Sequence, residues 1–108
     1  MIGRFTQWRP RPDIDRPEAL LAWGRHAPLV ERVPGLRRYV QNHVVSTPFD
    51  ENEPAYAGVG EAWFDDLAAA QVALESDEWA AVIDDAKTFM DFDSLVATWV
   101  ERHTVRAV

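Results

Sequence analysis

The stretch His26-Ala27-Pro28-Leu29-Val30, followed by Pro34-Gly35-Leu36-Arg37-Arg38-Tyr39 and Val40-Gln41-Asn42-His43, decides how this chain is built. An imidazole stands near the end of an amphipathic segment, Pro34-Gly35 breaks the chain, and an extended run then brings a Tyr, an Asn and a second His close to the break. A helix end facing a polar-lined strand is where a small domain forms a pocket.

Outward from that stretch, residues 2 to 8 alternate loosely, carry Phe5 and Trp8, and stop at Pro10 and Pro12, which reads as a first strand. Asp15 or Arg16 then precedes Pro17, a residue suited to a first helical turn, and Glu18 adds a carboxylate at the positive helix end. Leu20, Leu21, Trp23 and His26 follow, with Leu29, Val30 and Val33 prolonging the apolar face; Pro28 removes a helical hydrogen bond, so a kink or a short second helix is expected there. Leu36 to Val45 reads as a second strand. Residues 46 to 55 form a loop longer than a hairpin connection normally needs, and Ala57 to Phe64 a third strand. Asp65 or Asp66 can cap a helix over Leu67 to Leu74, Ser76 starts another with Asp77 and Glu78 in its first turn, and Ser94 to Val105 is the last strand. The order is βαββαβ, a ferredoxin-like α+β arrangement with an antiparallel sheet in one domain spanning residues 1 to 108.

The strands are apolar on both faces. Leu95, Ala97 and Trp99 alternate with Val96, Thr98 and Val100, and Leu36, Val40 and Val44 oppose Tyr39 and Val45. A sheet with one wet face alternates more cleanly. The helices cover only one face, so the other calls for a second sheet, most simply that of an identical subunit related by a two-fold axis.

The His-Ala-Pro-Leu run, Tyr56-Ala57-Gly58-Val59-Gly60-Glu61-Ala62-Trp63-Phe64-Asp65, Phe89-Met90-Asp91 and the terminal Val- and Glu-rich strand occur in an order that resembles the EthD family, named for ethyl tert-butyl ether degradation, within the dimeric α/β-barrel superfamily. The resemblance covers nearly the whole chain. It implies a homodimeric α/β barrel, and a role like those in which family members are implicated: polyketide and aromatic tailoring, or lactone isomerisation. It also places His26 and Asp91 within family-like motifs.

Composition bounds the rest. The chain has no Cys, which excludes thiol catalysis, disulfides and zinc–thiolate sites. A net charge of −7 repels phosphate backbones, so nucleic acid is not an expected partner. The one basic cluster, Arg4, Arg9, Arg11 and Arg16, reads as a solvated strand end and loop, or as a mouth attracting an anionic substrate. No apolar leader or membrane-length run occurs, so no membrane partner and a cytoplasmic location are expected. The three His have no metal-ligand spacing, and no Gly-x-Gly-x-x-Gly, Walker-type loop or Gly-x-Ser-x-Gly elbow occurs, so neither metal nor cofactor is expected.

The candidate chemistry centres on His26 as acid or base, because imidazole titrates nearest neutrality. Its plainer reading is a histidine favoured by a helix C-terminus. Asp91 either orients that imidazole or forms a turn. Tyr39 would polarise a substrate oxygen. Tyr39, Gln41 and His43 share one strand face and Asn42 lies on the other; with Trp23, Trp63 and Phe89 these supply candidate contacts to a small apolar or aromatic ligand. Glu61, if buried, needs Arg4 or Arg38 as its partner. Together with the family resemblance these point to a cofactor-free cyclase, dehydratase or isomerase acting on a small oxygenated ring compound; the alternative, which the family's name-giving member implies, is a non-catalytic accessory or ligand-binding protein of an oxygenase system.

Overall fold

A computed structural model describes residues 1–108. The elements are β1 (Ile2–Trp8), α1 (Arg16–Val30), β2 (Arg38–His43), β3 (Gly58–Phe64), α2 (Leu67–Leu74), α3 (Asp77–Ala86) and β4 (Val96–Glu101). The four strands form one antiparallel sheet in the order β2-β3-β1-β4, with the helices on one face. This is the ferredoxin-like α+β arrangement expected from the chain. Each helix starts on a side-chain cap: Asp15 accepts from Glu18 N–H, Asp66 from Ala69 N–H and Ser76 from Trp79 N–H.

Several boundaries differ from the sequence expectation, each for a local reason. α1 runs as one helix through Pro28, which withholds a single donor, the N–H that would meet the carbonyl four residues earlier. β4 stops at Glu101 rather than Val105 because that residue pairs with Ile2, the first residue of β1, and beyond it no partner remains. β2 starts at Arg38 rather than Leu36 because Leu36 N–H is still held by Val33 O in the turn, where Gly35 adopts φ +78°.

Trp8 fixes which face is which. It is fully buried, and period two places Thr6 and Arg4 beside it on the helix face, next to Gly60 and Ala62 of β3. The helix-side core is divided. One cluster gathers Trp8, Ala19, Trp23, Ala57, Ala86, Phe89 and Met90; the other gathers Val30, Val33, Ala62, Phe64, Ala70, Ala73 and Val82. Between them the sheet floor carries polar Arg4 and Thr6, flanked by a residue with no side chain and one with a methyl group.

The opposite face bears Phe5, Val40, Val59, Val96 and Val100, uncovered in this chain, around a buried Trp63. Trp63 packs edge-on against Phe5 and lies flat on Gly3, where a Cβ would meet its ring at 2.8 Å. Arg102 covers it at 4.2 Å from the ring. Glu61 sits here, accepting from Asn42 Nδ2 (2.8 Å) and Trp63 Nε1 (3.0 Å), with Arg102 at 3.5 Å. Burial pushes the Glu61 carboxyl up, but those two hydrogen bonds and the charges of Arg102 and Arg38 outweigh it and hold the group below its ordinary range. The expected partner Arg4 is on the other face; Arg38 contributes only at a distance.

Gly58 is where the sheet admits two indoles. A Cβ there would lie 2.5 Å from Trp8 Nε1 and 2.6 Å from Trp23 Cζ3. Gly58→Ala is therefore expected to cost about 1–3 kcal/mol of unfolding free energy in a urea titration. Gly24, in the middle of α1 with nothing within 4 Å of its Cβ position, is the counterpart: Gly24→Ala should stabilise by about 0.5–1 kcal/mol. Equal effects at the two positions would contradict this packing.

Candidate functional site

The gap between the two core clusters is a cavity. The space open to the centres of water molecules within it is about 70 Å³, and the whole empty space, open solvent at the mouth included, is about 570 Å³. Arg4, Thr6 and Trp8 of β1 with Gly60, Glu61 and Ala62 of β3 form the floor, Trp23, His26 and Val30 of α1 one wall, and Trp79, Val82, Ile83 and Ala86 of α3 another; Tyr39 of β2 and Met90, Phe92 and Leu95 complete the lining.

Helical spacing sets His26 here. Ala19, Trp23, His26 and Val30 recur at intervals of three and four and make the buried face of α1. His26 is 3% exposed, the only buried polar or charged residue of the chain. A buried imidazole needs a partner, and it has Asp85 of α3: Nδ1–H donates to Asp85 Oδ2 at 2.7 Å. A carboxylate only accepts, so the proton belongs on Nδ1 and the neutral ring keeps its lone pair on Nε2. Nε2 makes no hydrogen bond within the protein. Phe89 supports the ring edge-on, with centroids 5.5 Å apart.

Tyr39 enters from the facing strand. Its hydroxyl accepts from Gln41 Nε2 at 3.0 Å, and the same amide donates to Trp23 O at 2.7 Å. A carbonyl only accepts, so Trp23 O fixes the amide with its nitrogen towards the phenol, and Gln41 Oε1 lies 3.4 Å from His43 Nε2. The phenol oxygen thus receives a hydrogen bond and its own proton stays free for a ligand. Burial pushes the Tyr39 pKa up, outweighing the hydrogen bonds that lower it. A proton acceptor on α1 and a proton donor on β2 therefore line one largely apolar cavity.

A family model described as the EthD domain matches residues 11–93. The chain belongs to the EthD family. Among solved structures it is similar to an EthD family protein from Bacillus halodurans, at 25% identity and TM-score 0.75, covering 95% of this chain and 100% of that one. It also resembles a dimeric protein of ferredoxin-like fold from Bacteroides fragilis, at 14% identity and TM-score 0.70 over 94% and 95% of the two chains. A third likeness is to SnoaB, a cofactor-independent oxygenase from Streptomyces nogalater, at 15% identity and TM-score 0.66 over 98% and 97%. A comparison with the curated proteins found none that matches.

Of the site residues named from sequence, the structure brings His26, Tyr39 and Trp23 to the cavity, with Gln41 behind Tyr39. His43 stacks on Trp23 at 5.0 Å and is exposed, and Phe89 lies in the core behind His26. Asp91 does not orient His26. Its carboxylate accepts from Asp93 N–H and Ser94 Oγ in the turn before β4, while its own N–H is held by Arg9 O. Asn42 and Trp63 fall on the opposite face because strand side chains alternate.

The partner of His26 was missed from sequence, and Arg4 was named in a basic cluster and as a partner for Glu61, but not as the cavity floor. Asp85 had a signal: it stands in the last turn of α3, where the macrodipole disfavours a carboxylate and no basic residue compensates. Arg4 had one too, since counting by twos from Trp8 turns it inward.

Above pH about 10 the unfolded chain releases a tyrosyl proton that folded Tyr39 still retains. The native state then binds more protons, so its stability falls as pH rises through that range. Tyr39→Phe should flatten this alkaline loss in urea titrations at pH 9 to 11. An unchanged slope would contradict a raised pKa.

Proposed function

We propose that this EthD-family chain is a cofactor-independent enzyme that moves protons on a small oxygenated ring compound. The observation that carries the reading is the cavity-lining His26, its Nδ1 held by Asp85 and its Nε2 free of any protein partner. Nε2 takes a proton from the carbon next to a carbonyl while the Tyr39 O–H hydrogen-bonds the carbonyl oxygen, so charge develops on an oxygen already facing a donor. Asp85 stabilises the imidazolium that results. Returning that proton to another carbon completes an isomerisation. Passing it to a departing β-hydroxyl, which leaves as water, completes a dehydration, and attack of the enolate carbon on a second carbonyl gives cyclisation. Neighbours of the same fold described as a cofactor-independent oxygenase and an antibiotic biosynthesis monooxygenase support a small-molecule role for a cavity of this kind.

The assembly belongs to the same reading. Two copies pack their outer sheet faces together, covering Phe5, Val40, Val59 and Val100, in line with neighbours described as dimeric. Sedimentation should give twice 12.3 kDa, and Val59→Arg should shift the mass towards one copy. A monomeric parent chain at micromolar concentration would overturn the dimer.

The chemistry is tested by deuterium wash-in from D2O at the α-carbon of small cyclic ketones, lactones and oxo acids, followed by NMR. Wild-type protein should exchange at least one of these above background. His26→Gln and Asp85→Asn should lower that rate about 10²–10⁴-fold in protein that circular dichroism shows to be folded. Binding with no exchange in any compound would instead support the accessory-protein alternative.

A further inference from the structure

Arg4 is the one charged group in the cavity that no opposite charge answers. Other guanidiniums of this chain are either exposed or held: Arg11 pairs with Asp13, Arg37 with Asp65 and Arg102 with Glu61, and Arg16 donates to the carbonyls of Pro54 and Tyr56. Arg4 is half-buried on the helix side of β1. Its Nη1 donates to Thr6 Oγ1 at 2.9 Å, and its guanidinium lies 5.1 Å from the centre of the Trp79 ring. A guanidinium has five N–H donors in a planar fork, and a single hydroxyl uses one of them. Burial lowers its pKa, the direction for a cation without a carboxylate to hold its charge. A fork of donors kept partly out of water, against the Trp79 ring in the cavity lining, is built to receive a planar anion.

We propose that Arg4 is the carboxylate-recognising group of this cavity, and that the ligand is a small organic acid whose ring lies against the tryptophans. The assignment rests on the reading of the cavity as the reaction site and names the class of compound that enters it. The chain's net charge of −7 disfavours anions in general, so an acid needs a local cation to enter, and Arg4 supplies one. The division of labour follows: Arg4 holds the carboxylate at the sheet floor, and His26 and Tyr39 act on the ring atoms between α1 and β2.

The test is calorimetric titration of the full chain with benzoate and cyclohexanecarboxylate against their neutral isosteres, benzamide and cyclohexanecarboxamide. The acids should bind at least about tenfold more tightly than the amides. Arg4→Gln should remove that preference and leave amide affinity within about twofold, whereas Arg4→Lys should keep part of it. Amides that bind wild type as tightly as the acids, a preference that survives Arg4→Gln, or no acid binding at millimolar concentration would each overturn the assignment. The wild-type comparison decides the matter even if Arg4→Gln does not fold. His26→Gln should retain the acid preference. A chain that selects acids but exchanges no protons keeps this assignment and loses the catalytic reading; one that exchanges protons on neutral ketones and ignores acids does the reverse.

Discussion

Burial of one imidazole organises the helix layer. His26 cannot stay at the α1–sheet junction without a hydrogen-bond partner, and the carboxylate that meets it comes from Asp85 on α3, 59 residues further along the chain. That bond ties together the two helices that wall the cavity. It stands at the boundary between the two apolar clusters, so α1 and α3 are joined by packing at either end and by one polar contact where packing is interrupted. The interruption is itself a consequence of β1 and β3: a strand that places Arg4 and Thr6 inward beside Gly60 and Ala62 has neither the apolar bulk nor the neighbours to close the core there.

Polar and apolar demands are separated by strand parity. On the helix face, Tyr39 and Gln41 share a network whose spare proton points to the cavity; on the outer face, Asn42, Glu61 and Trp63 bond to one another and leave a largely apolar rim. A slip of one residue would exchange the two sets, burying Glu61 under the helices and turning the phenol out. The close approach of Trp8 and Trp23 over Gly58, and of Trp63 over Gly3, pins that register, since only a residue without Cβ fits under each ring.

The element order was legible because each helix carries its own cap and each strand its turn signal, as Asp15, Ser76 and Pro34-Gly35 illustrate. His26 and Tyr39 were legible as chemistry because helical spacing and a strand start set them close together. The partner of His26 was not. Asp91 and Asp85 are both acidic residues near the end of α3, and what separates them is tertiary: the segment around Phe89 bonds to residues 9 to 11 and draws Asp91 into a turn, while Asp85 stays on the helix face opposite α1. Arg4 was legible only as one of four clustered arginines, read as a solvated strand end or an anion-attracting mouth; the position of Trp8 is what turns it inward.

The account rests on the state of a single ring. Nitrogen-resolved NMR of His26, at a pH where the imidazole is neutral, reads which nitrogen carries the proton. A proton on Nδ1, with the Nε2 signal typical of a free lone pair and loss of this pattern in Asp85→Asn, is the predicted result. A neutral His26 protonated on Nε2 would contradict it, because the cavity would then face a donor where the proposed chemistry needs a base.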